Sequence, residues 1–384
     1  MNKKIGCVIA YKKNHTNYGT SLVGYALIKK IQQLGYDIEV INYIKRYSIR
    51  EKIIIGLSQL RVHGWKLLKK RLASKPQNIN YLKGIESRTK AVEKYKEKKL
   101  YPLFKDYMGY KELKQGSRNY DAVVVGSDQV WLPAGLKTGF FNLLFVDEKI
   151  RKIAYASSFG VSEIPSFQKK DTGKYLDRFY RIGVREESGK KIVESLSNKR
   201  AEVVADPTLL LNRREWTEEI RYSKANTSEP YIFCYFLGTN SDARKAANEL
   251  KTLTGLKIIT LRHMDEFIGS DEKFGDEAPY AVNPEDFVKY IKDAEYVLTD
   301  SFHCSAFSIQ FHKRFMTFYR FAIGKKGGRN SRIDSLFNVL QIPQERIYKG
   351  DIKKIDSPIN WENIDKRLNV FRQESINYLR EALK

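Results

Sequence analysis

Cysteine is scarce. Only Cys7, Cys234 and Cys304 occur in 384 residues, far apart and odd in number. That spacing excludes a disulfide framework and a Cys-based metal site, and it predicts reduced thiols in a cytoplasmic protein. Long apolar runs are also missing. No stretch approaches the ~18 residues of a membrane span. The apolar run at residues 5–10 is too short for a signal peptide and reads as a first strand. Proline (10) and glycine (24) are too few for a collagenous or disordered chain, and 42% hydrophobic residues predict packed cores. The length exceeds one usual core, so two domains are expected. No His-x-Glu, paired Cys-x-x-Cys or dense carboxylate cluster suggests a metal. There is no Walker loop and no dinucleotide fingerprint.

Acidic residues are in deficit: 45 Asp and Glu stand against 69 Lys and Arg, a net charge of +24. Residues 45–100 hold 17 Lys/Arg and four Glu, so +13 lies in one segment. A block like this points to a polyanionic partner. Within it Ile53, Ile54, Ile55, Leu57, Leu60, Val62, Trp65, Leu67 and Leu68 stand among many Lys and Arg. A basic amphipathic helix with Trp reads as an element of an anionic membrane surface. The plainer alternative is a helix packing its apolar side on the core.

What is present is a repeated rhythm of short apolar run, turn and helical period. Strands are expected at 4–10, 37–43, 121–126, 152–156, 181–184 and 202–205, with helices at 21–34 and 188–196. A second series has strands at 231–236, 257–261, 296–299 and 315–318, with helices near 243–253, 284–294 and 303–311. Two alternating series predict an α/β protein of two Rossmann-like parallel-sheet domains. The expected division is 1–212 and 213–384, with a hinge within 211–230 and a basic helical insert at about 45–107. A terminal helix at about 361–384 is expected to pack back on the first domain.

Ligands of open α/β sheets sit beyond the carboxyl ends of strands, and four such turns stand out. Asn17-Tyr18-Gly19-Thr20 opens the first helix, where free N–H groups suit phosphate, although Asn17 or Thr20 could simply cap it. Gly126-Ser127-Asp128-Gln129-Val130-Trp131 presents a carboxylate, an amide and an indole, the groups a sugar site needs; a capping Asp and a core Trp are the alternative. Arg185, between a strand and a helix, could grip a carboxylate or phosphate with both arms, or pair locally with Glu186 or Glu187. Thr299-Asp300-Ser301-Phe302-His303-Cys304 places a histidine at a helix start, with Asp300 close enough to orient it. His15, His63, His263 and His312 lack such a setting.

Together these motifs resemble the polysaccharide pyruvyl transferase family. The resemblance also takes in Tyr155-Ala156-Ser157-Ser158-Phe159-Gly160, Val184-Arg185-Glu186, Asp206-Pro207-Thr208, Asn283-Pro284 and Asn330-Ser331-Arg332-Ile333. It departs at Cys304, where glycine is expected. It implies a GT-B-like fold, two halves facing across a cleft, with phosphoenolpyruvate as donor and a ketal-linked pyruvate as product; it does not imply metal dependence, and no cofactor or metal is expected.

Under it, His303, Arg185 and Asp128 are the expected catalytic residues. Donor contacts are expected from Asn17, Tyr18, Gly19, Arg185, Ser301, Phe302, His303 and Arg332. The acceptor is expected at Ser127, Asp128, Gln129, Trp131, Ser157 and Ser158. The expected acceptor is a hexose, such as galactose taken as a 4,6-ketal, on a polyprenyl-diphosphate-linked oligosaccharide at the cytoplasmic membrane face. A nucleotide-sugar glycosyltransferase and a non-enzymatic polyanion-binding protein are the alternatives. No nucleic-acid module appears, and the aromatic residues are not interleaved with basic ones on one platform.

Overall fold

The structure is a computed structural model that describes residues 3–63, 78–264, 267–320 and 330–384. Seven parallel strands form the first sheet. They are β1 (Lys4–Val8), β2 (Asp37–Ile44), β3 (Phe104–Met108), β4 (Ala122–Asp128), β5 (Arg151–Ser157), β6 (Arg181–Val184) and β7 (Ala201–Val203). Their spatial order is β3-β2-β1-β4-β5-β6-β7. The chain moves outward from β1 to β3 on one side, then crosses back to β4 on the other. The switch point lies between β1 and β4, whose registers pair Ile5 with Ala122 and Val8 with Val125. In such sheets the crevice opens there, beyond the carboxyl ends.

The second sheet holds β8 (Tyr231–Tyr235), β9 (Lys257–Thr260), β10 (Tyr296–Thr299) and β11 (Arg314–Thr317), in the order β11-β10-β8-β9. It too is parallel and reverses direction, between β8 and β10. Two parallel sheets, each with a switch point, make the expected GT-B-like α/β fold.

Local chemistry explains the helix boundaries. Helix α1 (Tyr18–Gln33) starts at Asn17, whose side chain accepts from the Thr20 N–H at 3.1 Å. The helix therefore begins three residues before the 21–34 expected, because Asn17 rather than a later residue is the cap. In the second half α10 (Pro284–Asp293) opens with a reciprocal capping box, Asn283 with Asp286, and with Pro284 in its first turn.

The basic segment is not wholly an insert. Helices α2 (Ile49–His63) and α3 (Ile79–Lys99) come first, but residues 104–108 return as β3, the edge strand of the sheet. That strand carries Lys105 and Asp106 on an exposed edge, so its apolar signal is weak. Nor is its charge all free for a polyanion. Arg88 is buried and donates through Nε, Nη1 and Nη2 to the backbone carbonyls of Tyr280, Arg262 and Pro279, at 2.9–3.1 Å. Lys99 reaches Glu219 and Glu285 at 2.9 and 3.5 Å. Helix α3 is thus a strap joining the two halves. Trp65, Leu67 and Leu68 of the expected amphipathic helix lie outside the described residues. No described helix is long and apolar enough to cross a membrane.

The remaining helices are α4 (Gly109–Gly116), α5 (Ser166–Leu176), α6 (Glu187–Leu196), α7 (Pro207–Leu210), α8 (Arg213–Glu219), α9 (Ser241–Thr254), α11 (Phe302–Gln310), α12 (Ser331–Leu340) and α13 (Trp361–Leu383). One apolar cluster runs from Ile5 and Leu22 through Leu209 and Trp216 to Phe287, Phe307 and Leu379, so the halves share a continuous core. The last helix lies against the first sheet. There Tyr378 Oη donates to the Ala154 carbonyl, Ser375 Oγ accepts from the Ala205 N–H, and Arg372 donates to the Leu209 carbonyl.

Candidate functional site

The carboxyl ends of β1, β4, β6 and β7 face the end of β10 from the other half. Arg185 follows β6 directly and its side chain is 1% exposed. Its Nη1 donates to Asp206 Oδ2 at 2.8 Å, and its Nη2 reaches Asp128 Oδ1 at 3.4 Å. Its guanidinium also lies 4.8 Å from the centre of the Phe302 ring. Arg185 is therefore neither free nor paired merely with its neighbours in sequence. Burial works against its charge, but Asp206, Asp128 and Glu186 outweigh burial and hold the guanidinium above its ordinary value.

Asp206 ends the turn after β7 and caps α7, accepting from the Thr208 N–H at 3.0 Å. Its side chain is fully buried, with Arg185 on one side and His303 Nε2 at 3.6 Å on the other. Burial alone would raise its carboxyl. His303 and Arg185 outweigh burial and hold it far below the usual carboxylate range.

Asp128 closes β4. Its backbone is left-handed (φ +76°), a conformation that costs a non-glycine residue about 1 kcal/mol or more. Thr20 Oγ1 donates to its Oδ2 at 3.0 Å and the Gln129 N–H to its Oδ1 at 2.9 Å. Burial opposes its charge, while Arg185, His303 and Arg332 lower its carboxyl below the ordinary value.

His303 stands in the first turn of α11, pressed against Gly19 in the first turn of α1. A Cβ placed on Gly19 would lie 2.1 Å from His303 Nδ1, so a glycine is required for the two helix starts to meet. The partner carboxylate of His303 is Asp206, not the expected Asp300. Asp300 accepts from the Leu237 and Gly238 N–H groups at 2.7 and 2.8 Å and serves the turn after β8.

Two more guanidiniums complete the cluster. Arg332, at the start of α12, lies 6.0 Å from the Phe302 ring, on which Arg185 also rests. Phe302 is thus a platform for two cations. Burial, with the like charge of Arg185 next, brings Arg332 down to about 10. Arg320, just beyond β11, donates to the Asp300 carbonyl at 3.1 Å and adds to the repulsion on Arg332. Among the described residues, the Nε atoms of Arg185, Arg320 and Arg332 and the Nε2 of His303 are buried without a hydrogen-bond partner. Buried polar atoms are rarely left so, and here four of them lie at one junction.

Other expected site residues lie elsewhere. Trp131 is a core residue: its ring packs on Phe159, Tyr175 and Phe179, and its N–H donates to the Phe141 carbonyl at 3.0 Å. That leaves no ring face for a sugar. Ser127 and Ser157 are fully buried and donate to the Ala156 and Val125 carbonyls. Tyr18 is buried and stacks on Phe287 at 4.8 Å, joining the halves. Asn17 Oδ1 is committed to its cap. Ser158 Oγ donates to Glu186 Oε1 at 2.7 Å. Gln129 stays beside Asp128, with a buried Nε2 that has no partner among the described residues. Ser301 caps α11 by position, without a side-chain cap bond. Cys304 is buried behind it, its thiol pushed up to about 12 by burial.

Asp206, Glu186, Arg320 and Thr20 were missed as site residues by sequence reasoning. Asp206, Glu186 and Arg320 closely follow strand ends, the signal that marked the other turns, and Thr20 stands in a marked turn where it was read only as a possible cap. A cavity of about 610 Å³ between α8, α11 and α13 touches none of these strand ends. Among the described residues no group of three His, Cys, Asp or Glu could hold a metal ion.

Such a junction gathers guanidiniums, an imidazole and carboxylates between two Rossmann-like halves. The chain belongs to the polysaccharide pyruvyl transferase family, whose pattern it matches over residues 17–320, and it is therefore a transferase. No curated protein matches it in sequence. Solved structures similar in outline include the UDP-GlcNAc 2-epimerase from Methanocaldococcus jannaschii in complex with UDP-GlcNAc and UDP. That pair shares 15% identity over 92% of this chain and 97% of that one, with a TM-score of 0.44. The UDP-N-acetylglucosamine 2-epimerase from Rickettsia bellii is 11% identical over 99% and 98% of the two chains, with a TM-score of 0.46. LpCGTa in complex with UDP is 8% identical over 100% and 99%, with a TM-score of 0.48. These likenesses say nothing about the substrate of this chain.

The buried pair gives a stability prediction. Asp206→Asn leaves the Arg185 charge buried with one partner fewer, which typically costs about 3–5 kcal/mol. Because the folded carboxyl is lowered, its contribution is complete above the unfolded value near ~4 and lost as pH falls below it. Thermal melts from pH 7 to pH 3 are expected to show a lower Tm for Asp206→Asn at neutral pH, and a shallower acid decline than wild type.

Proposed function

We propose that the enzyme transfers the pyruvyl group of phosphoenolpyruvate to two hydroxyls of one hexose, forming a cyclic ketal and releasing phosphate. The observation that carries this reading is the set of buried nitrogens on Arg185, Arg320, Arg332 and His303 that have no hydrogen-bond partner among the described residues. Phosphoenolpyruvate brings one carboxylate and one phosphate, and a cradle of several cations suits such a compact trianion. Arg185 is itself fixed by Asp206, so it offers a pre-set guanidinium face, while Arg332 is the more available grip. His303 adds an imidazole at a helix start, placed to hold phosphate and to carry a proton. Asp128, kept ionised, is suited to orient or deprotonate the acceptor hydroxyl, with Gln129 beside it.

The test is phosphate release from phosphoenolpyruvate with a panel of glycosides and lipid-linked sugars, galactosides included. Acceptor-dependent release, with the acceptor gaining the pyruvyl mass, is expected. His303→Ala should lower kcat by ~10²–10⁴-fold in a folded protein, the usual worth of a positioned acid/base group. Wild-type turnover in His303→Ala would remove that role, and release driven by a nucleotide sugar instead would overturn the donor.

The acceptor proposed is a polyprenyl-diphosphate-linked oligosaccharide at the cytoplasmic face of an anionic membrane. In support, Ile49, Ile53 and Leu57 form one exposed apolar stripe on α2, with Lys45, Arg46, Arg50 and Lys52 exposed around it. Co-sedimentation is expected with vesicles containing anionic lipid and not with neutral ones, lost on Ile53→Asp with Leu57→Asp. Equal binding to both vesicle types at low salt would reject the anionic surface.

A further inference from the structure

Of the carboxyl groups at the cradle, Asp300 serves Arg320 and the turn after β8, and the surroundings of the other three sort them. Asp128 and Asp206 accept hydrogen bonds and face guanidinium or imidazole at close range. Glu186 differs. It is 2% exposed, at the end of β6 where α6 begins. Its Oε1 accepts from Ser158 Oγ at 2.7 Å, while its Oε2 is buried with no hydrogen-bond partner among the described residues. The nearest cation is Arg185 Nε at 3.9 Å, beyond hydrogen-bonding range. An ionised Oε2 there would have only that distant guanidinium and no hydrogen bond to compensate it, whereas a protonated one is a ready donor.

We propose that Glu186 is the acid that protonates the methylene carbon of the donor, delivering the proton held on Oε2. This rests on phosphoenolpyruvate being the donor. Environments that push neighbouring carboxyls apart mark acid and base roles. Burial raises the Glu186 carboxyl and outweighs Arg185, Ser158 and Arg332, while Asp128 opposite it adds to the rise. Asp128 and Asp206 are held low.

The step balances. The C2–C3 π pair takes the Glu186 proton to make the methyl group, leaving C2 electron-poor. One acceptor oxygen bonds to C2 and its proton passes to Asp128. The C2–O bond to phosphate breaks, and the second acceptor oxygen takes its place. Of the two hydroxyl protons, one restores Glu186 and the other leaves with phosphate.

The experiment measures kcat and KM for phosphoenolpyruvate from pH 5 to pH 9 in wild type, Glu186→Gln and Glu186→Asp, with donor binding followed by calorimetry. Glu186→Gln keeps the shape and can still accept from Ser158. It is expected to lose ~10²–10⁴-fold in kcat with KM and donor affinity within threefold. Wild-type kcat should fall as pH rises and the acid ionises. That limb should be present but displaced in Glu186→Asp, and absent from the residual Glu186→Gln activity. A Glu186→Gln enzyme within threefold of wild-type kcat overturns the assignment. So does an alkaline limb that persists unchanged in Glu186→Gln, which would mark Glu186 as only a support for Arg185. A wild type that neither binds nor turns over phosphoenolpyruvate overturns the donor reading and this assignment with it.

Discussion

The buried contact of Arg185 with Asp206 is the constraint on which the junction depends. Removing these charges from water is costly, and their attraction offsets that only with good geometry and further partners. Here the partners come from both halves. Asp206 shares its charge between Arg185 and His303, Asp128 takes the second arm of Arg185, and Phe302 underlies the guanidinium. Arg185, Asp206 and Asp128 stand at or just beyond strand ends of one sheet. His303 and Phe302 belong to the other. A salt bridge at the ends of two neighbouring strands thereby fixes the position of the imidazole as well as its own.

That arrangement requires close approach, and the rest of the fold supplies it. Gly19 lets two helix starts meet where any side chain would collide with His303. Helix α3 straps the halves through Arg88 and Lys99, and α13 runs from the second half back to the first sheet. The surplus of positive charge is therefore of two kinds. Part is structural, committed to carbonyls and carboxylates across the junction. The other part is the exposed face of α2 and the partly unpartnered guanidiniums of the cradle.

Much of this was readable in the amino-acid order because strand ends are readable. The Val-Val-Val run of β4, the short apolar runs of β6 and β10, and the turns after them are strong local signals. They mark Asp128, Arg185 and His303 without any knowledge of their neighbours. Which side chain meets which was not readable, since pairing is decided by sheet order. Asp300 is closer to His303 in sequence, but Asp206 arrives through the β6–β7 register and takes its place. Trp131 was misread because a residue just past a strand can turn outward to a ligand or inward to a core, and its order in the chain does not say which. The edge strand β3 was hidden by its own Lys and Asp, because an exposed edge lacks the apolar signature of a buried strand. Glu186 looked like a surface partner for Arg185 until its burial was seen.

The central claim is that the cationic junction between the halves is the seat of the phosphoenolpyruvate donor. The most direct measurement is a crystal structure of the protein soaked with phosphoenolpyruvate. The account predicts density with its carboxylate and phosphate against Arg332, Arg320, Arg185 and His303. A donor bound away from those four residues, or a junction left without it at saturating concentration, would contradict the account.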